Sequence, residues 1–244
     1  MTEIIINESE LREKALGVVN RLKEVAQNHQ RTYPATIEAV LVLSGPGTYY
    51  DRLREGQQEW KRWMDSDRIR AGVAVTKEVT AKRLAGLRET TARGHYVSRK
   101  DILEYGPYFV YNGIPIENEV IRQALKSTRC LLPTERVLII DEVYEDGNII
   151  PIRHTGDQFK SFYQAITNPN SPLFGVRNVS LIAHISDFVR NLFYAKKYTE
   201  LNFWVHALKN RPGTEQILVE AELARLPGYA AKGDLATEPA PFST

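Results

Sequence analysis

Cysteine is nearly absent from this sequence. Cys130 is the only one among 244 residues, so the chain cannot form an internal disulfide or a cysteine-rich metal site. Leu131 and Leu132 follow it, and an apolar neighbourhood of this kind is typical of a buried, inert thiol rather than of a nucleophile.

Long apolar runs are absent as well. Residues 1–14 contain three consecutive isoleucines followed by acidic residues, a pattern that does not predict a secretory signal peptide. No stretch approaches the ~20 apolar residues of a membrane-spanning helix. We therefore expect a cytoplasmic protein without a membrane partner.

An excess of one charge sign is missing too. The 32 lysines and arginines and the 30 acidic residues leave a formal net charge of +2, which gives no reason to predict a nucleic acid partner. Apolar residues make up 43% of the chain and charged residues 25%, as in ordinary folded proteins. The length suffices for a sizeable core, and we predict a single α/β domain over residues 1–244.

What the sequence does contain is an alternation of short apolar runs and helical periodicities. The apolar runs predict five strands, near residues 38–43, 107–111, 136–140, 178–183 and 201–206. Three further segments frame them: an N-terminal helix within 1–34, a helical insertion or long crossover within 51–104, and an extended tail over 228–244. Strands that alternate with helices predict right-handed crossovers and a mostly parallel sheet.

Polar residues and glycines follow the predicted strands. They are Ser44 to Thr48 after the first strand, Asn112 and Gly113 after the second, Asp141 and Glu142 after the third, and His184 and Asp187 after the fourth. Parallel strands end at one edge of the sheet, and open α/β sheets bind ligands there. The amino termini of the following helices favour an anion or an oxygen-rich group at the same edge.

Several of these residues also have a purely structural interpretation. The segment 44–47 is neither a Walker loop nor GxGxxG, so a phosphate cradle and a plain turn both remain open. Thr155 and Gln158 fit a capping box, with Thr155 capping a helix and Gln158 reaching back. His154 and His184 lack metal-site spacing, and we predict no metal.

Arg190 has competing interpretations as well. It follows Asp187 by three residues on a predicted helix, so an ion pair within that helix competes with anion binding. A more distant acid, such as Glu117, is a third possible partner.

The order of these short motifs is also informative. They are the turn Ser44-Gly45-Pro46-Gly47, a helical Arg83, Asn112-Gly113 followed by Glu117, Asp141-Glu142, the segment from His154 to Gln158, and the segment from Ala183 to Arg190. In this order, over roughly residues 38–206, the chain resembles the SanA/ElyC/YdcF family. The resemblance implies a Rossmann-like three-layer sandwich, with a five-stranded sheet and a helical insertion after its first strand. Some family members are associated with S-adenosylmethionine, which makes that molecule a candidate cofactor.

The match to the family is incomplete. Asn112 stands where the family has a serine, His154 where it has an asparagine, and Asp187 where it has a histidine. Arg83, Gly113, Glu117, Thr155 and Arg190 are retained. Together with the strand ends, the resemblance implies a ligand-binding set of Ser44, Gly45, Gly47, Arg83, Asn112, Gly113, His154, Thr155, His184 and Arg190.

These observations lead to three functional hypotheses. The first is a hydrolase or group transferase for a phosphate- or nucleotide-like molecule, with Arg83 and Arg190 holding the anion. Its catalytic candidates are Glu117, Asp141, Glu142 and Asp187. The second is a nucleotide or S-adenosylmethionine binding module without turnover, which replacement of the family histidine favours. The third is a partner-binding protein that uses Trp60 and Trp63. Self-association is left open.

Overall fold

The structure is a computed structural model. It describes residues 7–27, 32–44, 61–88, 97–115, 132–210 and 212–244, without the side chains of residues 61–66 and 88. In chain order the elements are α1 (Glu8–Gln27), β1 (Ala39–Leu43), α2 (Lys61–Arg88), α3 (Arg99–Tyr105), β2 (Tyr108–Asn112), β3 (Val137–Ile140), β4 (Glu142–Glu145), β5 (Asn148–Pro151), α4 (Thr155–Thr167), β6 (Val179–His184), α5 (Phe188–Tyr198), β7 (Phe203–Leu208), α6 (Glu215–Ala231) and β8 (Phe242–Ser243).

Six strands form the central sheet in the order β3-β2-β1-β6-β7-β8, and all five neighbouring pairs are parallel. Counted along the chain, this is the doubly wound order 3-2-1-4-5-6. The predicted α/β sandwich with a parallel sheet is therefore confirmed, and the five apolar runs are its first five strands. The sixth strand, β8, was not predicted.

Helices cover both faces of the sheet, which explains why the central strands are mostly apolar. One face packs against α2 and α3 through Val75, Val79 and Ile102. The other face packs against α1, α4, α5 and α6. Helices α2 and α3, which connect β1 to β2, lie on one face, and α5 and α6, which connect β6 to β7 and β7 to β8, lie on the other. The topological switch point therefore lies between the adjacent strands β1 and β6.

Helix α2 forms part of a layer of the fold. It is one continuous helix of 28 residues that packs against β1, β2 and β6, so the prediction of a long crossover describes it better than that of an insertion. Gly72 allows the close packing, because a Cβ atom there would lie 2.7 Å from a methyl group of Val42 and 2.8 Å from the ring of Phe109. Trp60 lies outside the described residues.

The C-terminal segment differs from its prediction. Helix α6 runs through Pro227 to Ala231, so residues 228–231 of the predicted extended tail are helical. The chain then returns along α5, where the amides of Ala236 and Ala240 donate to carbonyls of Phe193 and Leu192. This return delivers β8 to the sheet edge, beside β7. None of the helices in the described ranges is both long and apolar enough to cross a membrane.

Candidate functional site

The carboxyl edge of the sheet brings three of the predicted residues together. Leu43 pairs with Asn112 in the register of β1 and β2. Val42 pairs with Ile182 in the register of β1 and β6, which places Ser44 beside His184 two residues later. Ser44, Asn112 and His184 therefore end three adjacent strands at the switch point, and all three are buried.

Gln158 on the first turn of α4 links two of these strand ends. Its side-chain nitrogen donates to Ser44 Oγ at 3.0 Å and to the carbonyl of Asn112 at 2.7 Å. The side-chain nitrogen of Asn112 donates back to the carbonyl of Gln158 at 2.7 Å and to Ser161 Oγ at 3.1 Å. The prediction that Gln158 reaches back to its own helix is thus wrong, because its side chain turns inward to the strands.

The carbonyl oxygen of the Asn112 side chain accepts no hydrogen bond in this network of described residues. Asn112 is 0% exposed, and its Oδ1 has no hydrogen-bond donor within the described structure. Its orientation is fixed, because the Gln158 carbonyl requires the nitrogen on that side. An unsatisfied buried acceptor costs about 1–3 kcal/mol, so this oxygen is a place where a donor from a ligand or a water molecule is favoured.

A buried arginine that sequence reasoning missed lies at the same edge. Arg68 of α2 is 1% exposed. It donates to the carbonyl of Leu43 at 3.0 Å, to Asp187 Oδ2 at 2.6 Å and to His184 Nδ1 at 3.0 Å. One signal was available, since Arg68 lies four residues before Gly72 and seven before Val75, on the helix face that the core buries.

His184 is a neutral side chain in this environment. Burial lowers its pKa to about 4, the charge of Arg68 acts in the same direction, and Asp187 opposes them. The carboxylate of Asp187 is itself engaged, since it binds Arg68 and accepts the backbone N–H of His184 at 3.2 Å. Asp187, a predicted catalytic acid, is therefore half of a buried ion pair.

Arg190 is also half of a buried ion pair, and its partner lies on another helix. It contacts the Glu222 carboxylate of α6, which also pairs with Arg225 at 3.1 Å. Burial disfavours the charge of Arg190, but Glu222 and Asp187 outweigh burial and raise its pKa. Of the partners left open by the sequence, the structure selects a distant acid, and that acid is Glu222.

Arg83, the second predicted anion ligand, lies at the opposite edge of the sheet. Its guanidinium donates to three backbone carbonyls, those of Ala35 at 2.7 Å, Tyr105 at 2.7 Å and Ile37 at 2.5 Å. These carbonyls lie near the starts of β1 and β2, so the structure does not bring Arg83 to the strand carboxyl ends. Partial burial lowers the pKa of Arg83.

The start of α4 is capped one residue earlier than predicted. His154 has the extended backbone of an N-cap residue, and its Nδ1 accepts the backbone N–H of Asp157 at 3.3 Å. Thr155 is the first helical residue, so the predicted cap at Thr155 is wrong. Asp157 binds the backbone N–H and the Nε of Arg153 at 3.0 and 3.1 Å, which ties the loop before α4 to the helix.

The remaining predicted site residues lie in different parts of the chain's fold or outside the described residues. Gly113 is buried at the carboxyl edge and donates to the carbonyl of Ile140. Asp141 is half-buried directly after β3, whereas Glu142 is exposed and begins a β4–β5 hairpin outside the main sheet. Glu117, Gly45 and Gly47 lie outside the described residues. Over the described ranges, no group of three His, Cys, Asp or Glu side chains is arranged to hold a metal ion.

A cavity of about 480 Å³ opens elsewhere, near the starts of β7 and β8. Its lining includes Tyr163, Lys196, Lys197 and Tyr198, and it shares no residue with the cluster at the carboxyl edge. The two lysines occupy the last turn of α5, where the helix dipole favours cations without any ligand.

Comparisons with known proteins leave the family open. No family model, no curated protein and no solved structure matches the chain significantly. The resemblance to the SanA/ElyC/YdcF family therefore stays a prediction.

Proposed function

We propose that the chain binds a nucleoside-containing small molecule, a nucleotide or S-adenosylmethionine, at the carboxyl ends of β1, β2 and β6. The observation that carries the proposal is the buried Oδ1 of Asn112, which accepts no hydrogen bond from any described residue and lies beside the switch point of a doubly wound sheet. Dinucleotide-binding sheets of this strand order bind their ligand at the switch point, where an acidic side chain accepts a ribose hydroxyl. By analogy, Asn112 offers its carbonyl oxygen to a hydroxyl or amine of the ligand.

The described residues favour binding over turnover. Catalysis of hydrolysis or group transfer needs a base or nucleophile that is free to react. Asp187 is neutralised by Arg68, and Nδ1 of His184 already accepts a hydrogen bond. Glu142 is exposed on the hairpin, away from the buried cluster at the strand ends.

The binding experiment is a thermal-shift screen followed by calorimetric titration. The probes are ATP, AMP, adenosine and S-adenosylmethionine. A probe at one hundred times its dissociation constant stabilises the folded state by about 2.7 kcal/mol, and each kcal/mol raises Tm by about 2–4 °C at this chain length. We expect at least one probe to raise Tm by several degrees, and to be recovered unchanged after incubation.

Two substitutions localise the binding. Asn112→Ala removes the free acceptor, and we expect it to weaken binding at least tenfold. Ser161→Ala is the matched control, because it removes a partner of the Asn112 nitrogen but leaves the free oxygen in place. Equal affinities for both variants would contradict the proposed site, and conversion of the probe to a product would favour an enzyme instead.

A further inference from the structure

We infer that Arg68 is a positioning residue that holds His184 in a single neutral tautomer, with the proton on Nε2, so that the ring donates a hydrogen bond to an acceptor group of the ligand. The part of this inference that concerns the ligand rests on the proposed function. The tautomer itself rests only on the contacts of Arg68.

The direction of the Arg68–His184 hydrogen bond determines the tautomer. Arg68 Nε lies 3.0 Å from His184 Nδ1, and a guanidinium nitrogen can only donate, because it keeps its proton in proteins. Nδ1 must therefore be the unprotonated, accepting nitrogen. In a neutral imidazole the remaining proton is then on Nε2, on the far side of the ring.

Two further contacts prevent Arg68 from turning away. Its Nη1 is held by the carbonyl of Leu43 and its Nη2 by Asp187 Oδ2, so all three of its nitrogens have fixed acceptors. Asp187 is held in turn by the backbone N–H of His184. The fork of the guanidinium thus connects the end of β1 to the segment after β6, and a lysine could not reproduce this geometry.

The charges in this cluster determine the kind of group that His184 recognises. Arg68 and Asp187 neutralise each other, and the burial that lowers the pKa of His184 keeps its ring uncharged at neutral pH. About 8% of the His184 side-chain surface stays exposed. A neutral N–H donor fits a carbonyl, carboxylate or phosphate oxygen or an unprotonated ring nitrogen, and it cannot act as a general base.

Nitrogen-15 NMR of the imidazole in the ligand-free protein tests the tautomer directly. We expect a protonated-type resonance for Nε2 and an unprotonated-type resonance for Nδ1 of His184 at pH 7. Arg68→Lys should replace this single tautomer with a mixture, a change that a purely packing role would not produce. A proton on Nδ1 in the wild-type protein would overturn the inference, whatever the ligand screen shows.

A second variant tests the donor role and separates it from folding. His184→Asn keeps an oxygen near the position of Nδ1 to accept from Arg68, but it removes Nε2–H. With the best probe of the ligand screen, we expect this variant to bind about tenfold more weakly while its Tm stays within a few degrees. Unchanged affinity would refute the donor role; failure of every probe to bind the wild-type protein would refute the proposed function, while the NMR result would still decide the role of Arg68.

Discussion

Replacement of Arg190 by alanine separates a structural role from a ligand-binding role. In the folded state the guanidinium of Arg190 and the carboxylate of Glu222 are both buried, and removing one partner of a buried ion pair typically costs about 3–5 kcal/mol. Glu222 keeps its contact with the half-exposed Arg225, so we expect about 3 kcal/mol, at the lower end of that range. At about 2–4 °C per kcal/mol for a chain of this length, Tm should fall by roughly 6–12 °C.

The assay combines urea unfolding with ligand titration on the same variants. We expect Arg190→Ala to lower the free energy of unfolding and to leave the affinity for the best probe unchanged. The double variant Arg190→Met, Glu222→Leu should recover most of the stability, because apolar residues can replace a buried ion pair at little cost. If Arg190→Ala keeps its Tm within about 2 °C and loses affinity more than tenfold, Arg190 belongs to the ligand site and the ion-pair account is wrong.

Three further predictions follow from single contacts. Gly72→Ala should destabilise the fold by about 1–3 kcal/mol through overpacking. Gly86→Ala in the same helix, with open space around it, should be neutral or stabilising by up to about 1 kcal/mol. Urea unfolding of both variants measures the two free-energy changes. His154→Ala should lower the stability by about 1 kcal/mol through loss of the N-cap, and Thr155→Ala should lower it much less. A larger loss for Thr155→Ala in thermal unfolding would show that Thr155 is the N-cap residue. Burial lowers the pKa of His184 from its ordinary value of 6.5 to about 4 in the folded state, so the stability it contributes is complete above about pH 6.5 and is lost as pH falls toward 4. The loss of stability between pH 7 and pH 4 should therefore be smaller in His184→Asn than in the wild-type protein, and equal losses would show that His184 is not held neutral.

The sheet was predictable from the sequence because its strands are buried on both faces. Burial on both faces favours a continuous apolar run, as in β1, and such runs are visible in one sequence. The edge strand β8 was missed because its placement depends on two long-range backbone hydrogen bonds to α5 rather than on its own pattern.

The candidate site was predictable only in part. Ser44, Asn112 and His184 follow apolar strands, and a parallel sheet must bring such positions to one edge. Arg68 and Glu222 were not predicted to be buried, because their burial depends on tertiary contacts. Both lie on helices, where a charged residue normally indicates a solvent-facing surface.

Arg83 and Arg190 show that residue type alone does not identify a ligand site. Arg83 and Arg190 were predicted to hold an anion because arginine suits phosphate and carboxylate groups. In the structure, three backbone carbonyls accept the hydrogen bonds of the Arg83 guanidinium. Arg190 instead pairs with the carboxylate of Glu222. Residue type determines which groups a side chain can bind, whereas the fold determines which of those groups it contacts.

A crystal structure with the best probe of the ligand screen tests the central claim most directly. We expect its density at the carboxyl ends of β1, β2 and β6, with a hydroxyl or amine of the ligand about 2.7–3.2 Å from Asn112 Oδ1. Density instead in the cavity beside Lys196 and Lys197, with the oxygen of Asn112 still lacking a donor, would contradict the account.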